Sequence, residues 1–222
     1  MHPYLIIRLA GPMQAWGQPT FEGSRPTAAF PTRSGLLGLL GACLGIRRDN
    51  KACLQQLANS VRFAVRCDEY RLDNKLITPT KLTDYHTVQN AREDYRGLKS
   101  HETIQTWREY LCDAQFTVAI WNSKSAELQL PQLIEAVKRP HFTPYLGRRS
   151  CPLSQPLYLG EATAASPRLA LAEFSGQGVI YSEEAEAANN RRLRVRDEPI
   201  ISLPRQFAAR DWFIVQGGTV CT

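Results

Sequence analysis

Between residues 33 and 46 the chain reads RSGLLGLLGACLGI, and this stretch constrains the fold more than any other. Its leucines at 36, 37, 40 and 44 recur at helical spacing and make one apolar stripe. Its glycines at 35, 38, 41 and 45 follow at intervals of three, three and four and line another side. A glycine inside a helix costs about 1 kcal/mol relative to alanine. Repeating that cost implies a helix pressed against its neighbours so closely that a Cβ would clash. Thr32 is a plausible N-cap, because its hydroxyl can accept from a free N–H of the first turn. The run is shorter than the roughly 20 apolar residues that span a bilayer. No lysine follows the glycines, as a phosphate-binding GxxxxGK[ST] loop requires. Neither a membrane segment nor a Walker loop fits.

The flanking segments supply what such a helix could pack on. Residues 4–9, YLIIRL, alternate with Leu5, Ile7 and Leu9 on one face, as a half-buried strand does. A long loop rich in glycine and proline follows, and loops of that length are often functional. A second helix fits residues 51–59. In VRFAVRC, residues 61–67, Val61, Phe63, Val65 and Cys67 face inward while Arg62 and Arg66 face outward. Residues 116–121 read as a strand, 130–140 as a helix stopped by proline, and PLYLGEAT as another strand. Between the second and third strands lies a polar, basic, aromatic excursion over residues 78–108. The order β, α, β, excursion, β, α, β is that of an α+β ferredoxin-like unit carrying an insertion. After residue 164 come short β-like pieces and a basic run, RRLRVR, at 191–196.

Net charge is +6, and most of the cations are arginine, which suits bidentate phosphate contacts. The six cysteines are dispersed and show no zinc spacing, so they read as reduced thiols, and no metal or cofactor is called for. The N-terminus lacks a cationic segment followed by a long apolar one, which points to a cytoplasmic address. GxGxxG, HExxH, GxSxG and a magnesium-binding DxD pair are all missing, as is the aromatic signature strand of the RNA-recognition motif.

Four features could carry function. Arg33 stands in the first turn of the glycine-striped helix, where the helix dipole disfavours a cation. Either it is a solvated arginine, or it joins Ser34 and the free N–H groups in holding an anion. The segment YLGRRSCP places Tyr145, Arg148 and Arg149 around a glycine turn suited to a phosphate backbone. In AREDYRGLKSHETIQTWREY, Lys99, His101 and Arg108 are interleaved with Tyr95, Trp107 and Tyr110, a combination that single-stranded nucleic acid favours, although a hairpin docking a protein has the same composition. His86, His101 and His141 are each candidate general bases, and His101 with Lys99 could serve metal-independent RNA cleavage.

Several blocks together resemble the CasD family, the small RAMP-superfamily subunits of the type I-E CRISPR Cascade complex. They are YLIIRLAGPMQAWGQPTFEG, RPTAAFPTRSGLLGLLGACLGI, DYHT, AREDYRGLKSHETIQTWREYLCDAQFTVAIW, TPYLGRRSCPL and RDEPIISLPRQFAAR. The resemblance implies a ferredoxin-like palm over residues 1–77 and 113–164, a β-hairpin thumb over 78–112, and a small C-terminal β region over 165–222. It implies a non-catalytic, RNA-binding structural subunit that holds the 5′ handle of the CRISPR RNA. Such a subunit caps the filament of CasC backbone subunits, touches the large CasA subunit, shares the complex with CasB and CasE, and meets target DNA only indirectly. On physical type, the residues expected at RNA are Arg25, Arg33, Ser34, Lys99, His101, Arg108, Tyr145, Arg148 and Arg149.

Overall fold

A computed structural model describes residues 1–20, 23–73, 75–89, 103–203 and 206–215. Its elements, in chain order, are β1 (His2–Ala10), β2 (Met13–Gln14), β3 (Ser24–Arg25), α1 (Arg33–Cys43), α2 (Lys51–Ser60), β4 (Val61–Cys67), β5 (Tyr70–Leu72) and β6 (Lys75–Ile77). They continue as β7 (Thr80–Gln89), β8 (Thr103–Cys112), β9 (Gln115–Asn122), α3 (Leu130–Lys138), β10 (Tyr158–Ala164), α4 (Pro167–Ala172), β11 (Ile180–Ser182), β12 (Arg191–Pro199) and β13 (Phe207–Val215).

Seven strands make one antiparallel sheet in the order β10-β1-β9-β4-β11-β13-β12. Its first four are the strands of the β-α-β-β-α-β pattern, lying in the spatial order fourth, first, third, second. Period-two alternation builds its two faces. Leu5, Ile7 and Leu9, with Val61, Phe63 and Val65 and with Phe116, Val118 and Ile120, are buried in one cluster with the apolar faces of α1 and α3. Ile6, Ala64, Ala119 and Trp121 are buried on the other face with Ala170 and Leu171 of α4. Each fully buried aliphatic or aromatic side chain contributes about 1.5–3 kcal/mol relative to exposure.

The excursion begins with the short β5–β6 pair and continues as a second sheet centred on β8. β7 runs antiparallel along one edge of β8 from Thr80↔Cys112 to Gln89↔Thr103. β2 and β3 pair with β8 as well, antiparallel and parallel respectively.

The C-terminal strands continue the central sheet, since β11 pairs with β4. Two sequence expectations need correction. Arg66 faces away from Val65 as alternation requires, but the α4 segment covers that face. Arg66 is therefore buried, with Nη1 donating to the Leu171 carbonyl at 2.7 Å and Nε paired with Asp68. Finally, close packing explains only part of the glycine stripe. A Cβ on Gly35 would lie 2.7 Å from the Trp16 indole, and Gly45 has φ +73 and ends α1, with Ile46 N–H donating to the Gly41 carbonyl in a Schellman arrangement. Gly41 has only ordinary neighbours, and a Cβ on Gly38 would meet nothing within 4 Å.

Candidate nucleic-acid interface

The turn at Gly147 fixes the position of the site. Gly147 has φ +87, and a Cβ there would fall 1.7 Å from the Ala15 carbonyl oxygen, so only glycine can bring the loop this near to β2. The Ala15 N–H donates to the Leu146 carbonyl at 3.0 Å, and the Cys151 N–H closes the turn on the Arg148 carbonyl at 2.8 Å. Arg148 leaves this turn toward the second sheet. Its Nη2 donates to the Arg25 carbonyl at 2.9 Å, its Nη1 to the Glu109 carbonyl at 3.1 Å, and its guanidinium lies 4.6 Å from the centre of the Tyr110 ring. Arg148 is therefore a staple between the loop, β3 and β8, with part of its donor set committed inside the protein.

The staple gathers other expected residues. Arg25 is opposite Arg108 in the β3–β8 register, and Arg108 Nε donates to Thr106 Oγ1 at 3.1 Å. Arg149 is exposed and takes no ion pair among the described residues. On β7 and β8, Tyr85 and Trp107 are directly opposite, with ring centroids 5.4 Å apart, and about half of each side chain is exposed. Glu109 ties this sheet to the loop before α1. The N–H of Thr27 donates to its carboxylate at 3.1 Å and Lys81 lies at 3.3 Å, and together these hold the carboxyl below its ordinary pKa.

On the other side of the Gly147 loop, a cleft of about 560 Å³ runs along α1. Ser34, Gly38, Phe142, Thr143 and Tyr145 line it, with Arg47 and Arg48 at its end. Gly38 leaves the helix backbone bare on this side. Sequence reasoning missed Arg47, Arg48, Phe142 and Tyr85. The arginine doublet was hidden by its place just past a helix C-terminus, where cations are favourable for structural reasons alone. Tyr85 becomes visible only once β7 and β8 are in register.

Arg33 is not part of this surface. It is buried at 2% exposure, with Nη1 2.7 and 2.9 Å from the two Glu183 oxygens, Nε 2.6 Å from Glu198, and Nη2 donating to the Ala58 carbonyl. Burial opposes its charge, but Glu183 and Glu198 outweigh burial and raise its pKa. Burial also pushes the Glu183 carboxyl up, against Arg33 and Arg210, and this opposite tendency would neutralise the pair. The geometry decides for an ionised pair, because donors from both arginines converge on Glu183 at 2.7–2.9 Å. An anion does sit at the start of α1, as the helix dipole favours. It is the Asp197 carboxylate of β12, which accepts from the Arg33 N–H at 2.8 Å and from Trp212 Nε1 at 3.0 Å. Lys99 and His101 lie outside the described residues. His86 stands on β7, 3.9 Å from Asp84, whereas His141 packs against Gly45 at the far end of α1.

A family model described as CRISPR-associated protein (Cas_Cas5) matches residues 4–213. The chain belongs to the Cas5 family. This Cas5 chain is 63% identical over 219 residues to the CRISPR system Cascade subunit CasD of Escherichia coli (strain K12), a match covering 98% of each. Among solved structures it is similar to a chain of a CRISPR RNA-guided surveillance complex, with TM-score 0.69 and 27% identity, covering 96% of this chain and 89% of that one. A second similar structure, of a Cas protein, gives TM-score 0.63 and 30% identity over 96% and 95% of the two chains. No helix among the described residues is long and apolar enough to cross a membrane.

Proposed function

We propose that this Cas5 chain is the CasD-type subunit of a Cascade complex and holds the 5′ handle of the CRISPR RNA where the Gly147 loop meets β3 and β8. In this reading β10-β1-β9-β4 with α1 and α3 is the ferredoxin-like palm, and β7–β8 is the thumb. The chain caps the filament of CasC subunits beside CasA, in a complex that also contains CasB and CasE, and its handle site meets target DNA only through that assembly. The observation that carries the reading is the meeting of Arg25, Arg108 and Arg148 where β3, β8 and the Gly147 loop join, with Arg149 exposed next in the chain, while alternation puts the exposed Tyr85–Trp107 pair on the opposite face of β7–β8. Cations on one face of the ribbon suit a phosphate backbone, and rings on the other suit the bases of a single strand that wraps its edge.

Arg108 and Arg149 test this reading better than Arg148, whose loss would also free the loop. The variant R108A/R149A should bind handle RNA more weakly and lower the magnitude of the log K–log[salt] slope by about 1.4, at roughly 0.7 per phosphate on a single strand. Unchanged affinity and slope would overturn the assignment. The role is one of binding, with no catalytic step. Repeat RNA incubated with the protein and a chelator should stay intact, and a defined cut abolished by H101A would establish a metal-independent endoribonuclease instead.

A further inference from the structure

The run RRLRVR plays no part in the site just described. It forms most of β12, the last strand of the seven-stranded sheet, so one side of its backbone has no strand partner among the described residues. Leu193 and Val195 pack on the cluster under α1, and Asp197 is buried at the start of that helix. Alternation then turns Arg192, Arg194 and Arg196 to the opposite face of the sheet, away from α1 and its cleft. Their spacing is roughly 7 Å per step, since a strand rises about 3.3 Å per residue. The side chains of Arg192 and Arg194 are 68% and 65% exposed, and Arg196 is exposed. Only Asp211 offsets them, at 3.7 Å from Arg192 and 3.0 Å from Arg194, while Arg191 and Arg196 make no ion pair among the described residues.

We infer that the Arg192–Arg194–Arg196 face of β12 is a second nucleic-acid site, and that its occupant is the phosphate backbone of duplex DNA. The row is held from the other face, where the intervening Leu193 and Val195 pack against the core. Arginine presents a planar fork that meets phosphate oxygens bidentately. A single strand would need rings to stack on, and none of the large exposed hydrophobic side chains among the described residues lies on β12 or β13. Phe213, opposite Arg192, is half-buried. Duplex RNA is held mostly across its wide minor groove, through 2′-hydroxyls as well as phosphates, whereas one straight row of cations reaches a single line of phosphates. A paired backbone read by charge alone is what this face fits.

The test uses the full chain and a 30-base-pair DNA of arbitrary sequence, titrated across a salt series. R192Q/R194Q/R196Q should weaken duplex binding about tenfold or more and lower the slope by about 2–3, at roughly 0.9 per phosphate. Its affinity for single-stranded handle RNA should not change, whereas R108A/R149A should show the reverse pattern. D211N, which releases Arg192 and Arg194 from their ion-pair partner, should tighten duplex binding. Duplex affinity unchanged in the triple variant would overturn the inference, as would equal loss for duplex and handle RNA. A variant that only aggregates more, with duplex binding per soluble monomer intact, would show that the arginines merely guard a sheet edge. Loss of handle binding by R108A/R149A is read independently, so either site can fail without the other.

Discussion

Arg33 shows how a residue's role can invert between sequence and structure. In the sequence it is a cation in the wrong place, at the start of a helix. In the fold it is the hub of a buried network, and its acidic partners Glu183 and Glu198 come from far along the chain, Glu183 from 150 residues away. Nothing local marks those partners, so the sequence could show the anomaly without its resolution. Arg66 repeats the lesson. Its facing was legible from alternation, but the α4 segment that covers it was not. Removing one member of a buried ion pair strands the other, at a cost of about 3–5 kcal/mol. Arg33→Ala should lose stability on that scale in urea denaturation, far beyond an exposed arginine such as Arg149→Ala. Equal effects would mean that the network contributes nothing.

For elements, the strands and helices around the main core were legible because each carries a clean period, two for β1, β4 and β9 and near 3.6 for α1. The β7–β8 hairpin was legible only through the family resemblance, because neither segment carries a clean alternation of its own. Within α1 the glycines separate by what surrounds them. Gly38→Ala should stabilise the protein by about 0.5–1 kcal/mol, since the helix gains a better former in open space. Gly35→Ala should destabilise it, because the new methyl would drive into Trp16. Thermal midpoints moving in the same direction for both would refute this division. If the cleft along α1 holds RNA, Gly38→Ala should bind it less well while being the more stable protein. The second sheet has its own pH dependence through Glu109. A carboxyl pKa depressed in the fold gives stability that is present above the unfolded value, near about 4.3, and drains away as pH falls through the folded value. Glu109→Gln should therefore flatten the acid limb of the stability curve below about pH 5, and an unaltered limb would show that the Thr27 tether carries no such linkage.

For the molecule as a whole, the continuous sheet makes the C-terminal strands dependent on β4 and the core beneath α1. β11 completes its hydrogen bonding on β4, and Trp212 of β13 is fully buried in the cluster beneath α1. Asp197 has a further consequence. The start of α1 has the makings of an anion pocket, yet its occupant is tethered to the same chain. A tethered group competes at an effective concentration on the order of millimolar or above, whatever the dilution of the protein. A free phosphate of ordinary affinity therefore cannot displace it. The fold has closed that pocket to every visiting anion by building one into itself.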